Sequence, residues 1–124
     1  MRFYWWLHGK LTRGRRARRW AEGIRIRFDD AAVSWDVGNP SPEFANSAFV
    51  TWADIAGVAE RGDDGTAPAG LMVLQRNAAS ADFLPLESEG ARAFLDAARR
   101  RNLIRPYDAL VAEREANERR RGPP

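Results

Sequence analysis

The feature that most constrains the fold is the stretch from Phe49 to Val58, which predicts a strand, a tight corner and a second strand. Within it, Trp52, Ile55 and Val58 are apolar and surround the polar Asp54. Aromatic and aliphatic residues with this spacing are typical of pleated, half-buried backbone. The rest of the chain is therefore expected to form antiparallel strands on either side of this stretch.

Strand alternation is clearest in residues 23–28, where Arg25 and Arg27 alternate with apolar residues. This period of two predicts a strand with one buried face and one basic face. The polar residues 29–30 favour a turn, and alternation resumes over 31–37. Together these segments predict a hairpin.

Two further strands are predicted after the central stretch, at 71–76 and at 81–86. Pro85 has no N–H to donate, so the later strand is expected at an edge of its sheet. Gly57 marks an expected bulge in the strand before them.

A helix is predicted over residues 88–102, with Ser88 as its N-cap. Its apolar face is formed by Ala91, Phe94, Leu95 and Ala98. Pro106 suits the first turn of another helix. The chain thus divides into a basic aromatic arm (1–21), an α+β domain (22–104), and a short helix with a frayed tail (105–124).

Strands in succession followed by one amphipathic helix predict an antiparallel α+β domain. The pattern Trp-x-Asp-Ile-x-x-Val, carried by Trp52, Asp54, Ile55 and Val58, resembles that of small bacterial pleckstrin-homology-like domains over about residues 22–104. The resemblance implies a bent antiparallel sheet or a partly open barrel, closed by the C-terminal helix.

Composition argues against several kinds of chemistry. A chain of 124 residues without cysteine and with a single histidine has no thiolate site and no multi-histidine metal site. No phosphate-cradling glycine loop occurs, and the acidic pairs at 29–30 and 63–64 suit turns better than metal ions. Trp35 and Trp52 occupy inward strand positions and are expected in the core. We therefore expect a non-enzymatic binding module without cofactor, metal or small-molecule substrate.

Charge is distributed unevenly although the net charge is only +3. Seven of the 20 basic residues and no acidic residue lie in residues 1–21, which we call the basic arm. This leaves 13 basic against 17 acidic residues in the remainder. Such an uneven distribution of charge indicates which partners the chain can bind and does not indicate its fold.

The basic arm is the first candidate for a contact surface. Aromatic rings beside a polybasic run suit an anionic membrane interface. Phosphoinositide-binding members of the pleckstrin-homology family place Lys and then Arg-x-Arg across their first strands, which Lys10, Arg25 and Arg27 resemble. The predicted binding residues are Trp5, Trp6, Lys10, Arg13, Arg15, Arg16, Arg18, Arg19, Arg25 and Arg27.

Two alternatives use the same sequence differently. The arm could bind nucleic acid, with arginines on phosphates and aromatics on bases. A protein-binding adaptor or an immunity-type protein could instead use an acidic face formed by Asp29, Asp30, Asp36, Glu43, Asp63 and Asp64. No apolar run is long enough for a signal peptide or a membrane span, so a cytoplasmic protein, peripheral to the inner face of the membrane, is expected.

Overall fold

The computed structural model describes residues 24–36, 47–62 and 69–121. They form six strands and two helices, which confirms the predicted α+β class. The strands are β1 (Arg25–Phe28), β2 (Ala32–Asp36), β3 (Ser47–Thr51), β4 (Ile55–Arg61), β5 (Gly70–Gln75) and β6 (Asp82–Pro85). The helices are α1 (Ala91–Arg100) and α2 (Tyr107–Arg121).

The strands form two antiparallel three-stranded sheets. The first sheet has the order β1-β2-β3 and the second has the order β4-β5-β6. The predicted edge position of the strand that carries Pro85 is confirmed, because β6 is the last strand of the second sheet. Within the described residues the strands do not close into a barrel.

A short 3-10 turn, Trp52–Asp54, carries the chain from the first sheet into the second. The Thr51 hydroxyl donates to a carboxylate oxygen of Asp54 at 2.9 Å, which bridges the corner. Ile55, directly after the turn, is buried. The pairing of β4 with β5 shifts register between Ile55 and Gly57, so the expected bulge is confirmed.

The main core lies between the two sheets and α1. The helix contributes the face predicted from its spacing, and Ala91, Phe94 and Ala98 have no exposed surface. Trp35 and Trp52 are both buried in the same cluster, as expected for inward strand positions.

The start of α1 differs from the prediction. The helix begins at Ala91 rather than residue 88, and its N-cap is Gly90 in the left-handed conformation, φ 85°. The chain before it runs alongside β1, where the Ile26 amide donates to the Glu89 carbonyl at 2.8 Å. This pairing keeps Ser88 out of the helix; the Ser88 hydroxyl oxygen is buried and does not cap it.

The second helix, α2, covers the face of the second sheet that is turned away from the main core. Leu110 packs there against Ala59, Met72 and Leu74. β5 is consequently buried on both faces, which explains its continuous apolar sequence.

The helix α2 is 15 residues long and continues well beyond Val111, where its apolar stripe ends. Polar contacts replace apolar ones in this half. The amide of Asn117 donates to the Ala78 carbonyl at 2.9 Å, and Arg121 donates to the Asn77 carbonyl at 3.0 Å. The turn between β5 and β6 thus anchors the end of the helix.

Candidate functional site

The face of the first sheet that is turned away from the core carries Arg25, Arg27 and Phe49, and we call it the outer face. Arg27 pairs with Ser34, which pairs in turn with Phe49. Directly opposed residues point to the same side of a sheet, so these three form one row across it. Two strand spacings place the Cα atoms of Arg27 and Phe49 about 10 Å apart.

Phe49 is the exposed large hydrophobic residue of the described structure, with 76% of its surface accessible. Its strand neighbour Val50 is buried on the opposite face. Its neighbour in the row, Ser34, is polar, and Asp36 of the same strand is in register with Arg25, so a single aromatic ring lies in a polar and charged setting. Such a ring next to a cation suits a surface that offers both apolar and anionic groups.

The two arginines of the outer face differ in their surroundings. Arg25 Nε lies 3.4 Å from a carboxylate oxygen of Glu89, but the two side chains are 61% and 78% exposed. An ion pair this exposed contributes little to stability. Arg27 is exposed and forms no ion pair with any acidic side chain of the described residues. The unpaired positive charge of this face is therefore centred on Arg27.

The prediction that Arg25 and Arg27 share an exposed face is confirmed. The other predicted binding residues lie outside the described residues: Trp5, Trp6, Lys10, Arg13, Arg15, Arg16, Arg18 and Arg19. The basic arm that holds them precedes β1 directly in the chain, and β1 carries both arginines.

Phe49 was not among the binding residues predicted from the sequence, which were chosen for their charge or their place in the basic arm. The signal was present in the alternation of Ala48 and Val50 with Phe49 and Thr51. Once Val50 is assigned to the core, Phe49 must point away from it.

Of the six acidic residues considered as an alternative surface, Asp29, Asp30 and Asp36 belong to the described residues. Asp36 lies in β2, in register with Arg25. The Asp29 carboxylate accepts hydrogen bonds from the amides of Ala31 at 2.8 Å and Ala32 at 2.9 Å. These donors hold the pKa of Asp29 below its ordinary value. Asp30 faces Arg101 at 3.9 Å. Three further members, Glu43, Asp63 and Asp64, lie outside the described residues.

Trp52 fills a packed position and does not line an open cleft. Its indole N–H donates to the Asp29 carbonyl at 2.7 Å, and its ring stacks on Phe94 with centroids 5.7 Å apart. Phe28 meets the ring edge-on at 6.0 Å. The guanidinium of Arg101 lies over the indole ring.

Across residues 24–36, 47–62 and 69–121, no three acidic or histidine side chains come close enough to hold a metal ion. In the same part of the chain, no helix combines the length and apolar character required to cross a bilayer. Comparison with known proteins gave no match to a family model, to a curated protein or to a solved structure.

Proposed function

We propose that this chain is a pleckstrin-homology-like, non-enzymatic binding module that contacts an anionic lipid surface through the outer face and the basic arm. The single observation that carries the proposal is the row formed by Arg27, Ser34 and Phe49 on one sheet face, in which Arg27 and Phe49 are exposed. It combines an exposed ring with an exposed cation.

Support for the pleckstrin-homology-like fold comes from the order of the elements. Two antiparallel sheets are joined at the Trp52–Asp54 corner, and α1 follows the last strand and packs on the main core. The helix α2, which covers the second sheet, is an addition to that plan. It leaves Arg25, Arg27 and Phe49 of the outer face exposed.

The chemistry of a membrane interface matches this surface. Phenylalanine can enter the boundary between headgroups and acyl chains, while arginines on the same face contact lipid phosphates. Each arginine near an anionic membrane contributes about 1 kcal/mol. The basic arm, which precedes β1 in the sequence, adds further cations, so binding is expected to be strong only at low salt.

The test is co-sedimentation of the full chain with anionic and with neutral vesicles, at low and at physiological salt. We expect sedimentation with anionic vesicles alone and a steep loss as salt rises. Replacing Arg27 with Gln should weaken binding about fivefold, since 1.4 kcal/mol corresponds to a factor of ten. Arg25→Gln should have a smaller effect, because Glu89 already shares that charge.

A matched control is Arg92→Gln, which removes the same charge from an exposed position of α1. α1 lies on the core side of the first sheet, away from the outer face, so this variant should bind as the parent does. Equal losses in the Arg27 and Arg92 variants would mean that only net charge matters. Absence of sedimentation under every condition would overturn the proposal.

A further inference from the structure

Two sheet edges in the described structure are closed by backbone pairing. At the free side of β1, the Ile26 amide donates to the Glu89 carbonyl at 2.8 Å. At the free side of β4, Val58 donates to the Leu103 carbonyl at 2.8 Å and accepts from the Arg105 amide at 2.9 Å. Both edges are thereby paired in part within the chain.

The edge at β6 is protected by its own sequence. Pro85 offers no N–H group, and Asp82 places a charge at the other end of the strand. Proline and charged residues are two of the devices by which natural proteins prevent edge strands from pairing with other chains.

The fourth edge, at β3, has none of these protections. β3 pairs with β2 over all five of its residues without a register shift. Its sequence, Ser47 to Thr51, contains no charge and no proline. No described residue pairs with its other side. A regular, uncharged edge of this kind is a template for another strand.

We propose that β3 is a homodimerisation edge, on which the β3 strands of two copies pair antiparallel about a two-fold axis at Phe49. Phe49 is the central residue of the strand, so this register uses its full length. Ala48 then lies opposite Val50 of the partner, and Ser47 lies opposite Thr51. The partly buried Ala48 thus meets the buried Val50 on the core side, and Phe49 meets Phe49 on the outer face.

Self-complementarity favours a second copy over an unrelated partner. A two-fold axis brings each residue near the symmetry mate of its neighbours, so any charge at the centre of β3 would face a like charge. The strand carries none. Phe49, already 76% exposed, gains an aromatic cross-strand partner, one of the pairs that stabilise antiparallel sheets. The product is one sheet of six strands, within the usual size.

This inference is independent of lipid binding and is tested without lipid. The first measurement is sedimentation velocity of the full chain from low to high micromolar concentration. We expect the mass to rise from 14.0 kDa towards twice that value. Phe49→Glu, which places two carboxylates at the axis, should remain a monomer with an unchanged far-ultraviolet circular dichroism spectrum. Arg76→Glu, in an exposed turn, should dimerise as the parent does.

The register is tested by disulfide trapping, for which a chain without cysteine is well suited. At the axis, Phe49→Cys brings two Cα atoms within the roughly 7 Å that a disulfide tolerates, so mild oxidation should yield a covalent dimer. Thr51→Cys lies two residues from the axis, which separates the symmetry-related Cα atoms by about 14 Å, and it should not crosslink with itself. A mixture of Ser47→Cys and Thr51→Cys chains should crosslink with each other.

A monomer at every concentration would overturn the proposal and would leave the edge to residues 1–23 or to a different protein. A dimer in which Thr51→Cys crosslinks and Phe49→Cys does not would also overturn it, since the interface would then have another register.

Discussion

The guanidinium of Arg101 lies over the indole ring of Trp52, with its central carbon 4.1 Å from the ring centroid. Arg101 is the C-cap residue that follows α1, and Trp52 opens the 3-10 turn between the two sheets. The contact therefore ties the end of the helix to the corner at which the chain changes sheets. Its position, with only 30% of the arginine side chain exposed, makes it stronger than a surface contact.

Replacing Arg101 with Ala should lower the free energy of unfolding by about 1–2 kcal/mol, because both the cation–π contact and the packing of the stem are lost. Arg101→Lys should recover part of this loss. Arg100→Ala, at the exposed neighbouring position, should change stability by less than about 0.5 kcal/mol. Urea denaturation followed by tryptophan fluorescence measures all three. If Arg100→Ala and Arg101→Ala lowered the free energy of unfolding equally, the contact of Arg101 with Trp52 would not have the role given to it here.

Gly90 should not tolerate any side chain. Its φ is 85°, and a Cβ built on it would overlap the carbonyl oxygen of Ile26. Gly90→Ala is therefore expected to cost about 3 kcal/mol or more, as a left-handed alanine and a backbone clash combine. Gly62→Ala is the control, because nothing lies within 4 Å of its Cβ position. A Gly90 variant as stable as the Gly62 variant in thermal denaturation would refute the close approach.

Asn117 should be the key polar residue of α2. It is 3% exposed, it donates to the Ala78 carbonyl, and its side-chain oxygen accepts from Arg120. Asn117→Ala leaves these groups without their partner and should cost about 1–3 kcal/mol. Hydrogen exchange should accelerate first in the last turns of α2. Glu113→Ala, at an exposed position of the same helix, should leave both readouts unchanged.

The contact of Asn117 also shows what the sequence could not reveal. Apolar periodicity predicts a helix when its apolar stripe packs on a core, and that stripe ends at Val111. The second half of α2 is held by side chains that reach backbone carbonyls at Ala78 and Asn77, about 40 residues earlier in the chain. Nothing in the local sequence of the helix identifies those acceptors.

The error at Ser88 has a related cause. Serine before an apolar helix is a good N-cap by its chemistry. The competing interaction is the pairing of Glu89 with β1, which is tertiary and invisible to local rules. By contrast, Arg25 and Arg27 could be placed correctly, because strict alternation along one strand decides which face a residue occupies. The basic arm lies outside the described residues, so its part of the site stays a prediction.

Asp29 should make the free energy of unfolding depend on pH in the acidic range. Its folded-state pKa lies below the ordinary value of 3.8, because the amides of Ala32 and Ala31 donate to the carboxylate. A carboxyl group whose pKa is lowered in the folded state stabilises the fold at pH values above 3.8. That contribution is lost as the pH falls through the pKa of the folded state. Asp29→Ala should therefore be less stable than the parent at neutral pH, with a difference that narrows in acid. A difference that is constant with pH in urea titrations would contradict this.

Asp82 should show the opposite dependence. Burial raises its pKa, and a hydrogen bond from Gln75 offsets this only in part. A carboxyl group whose pKa is raised in the folded state stabilises the fold fully at pH values below 3.8. That contribution is lost as the pH rises through the pKa of the folded state. Asp82→Asn keeps the shape without the charge and should be more stable than the parent at neutral pH. The extra stability of the Asp82→Asn variant should disappear below pH 3.8. If it persisted there, burial of the charge would not be its cause.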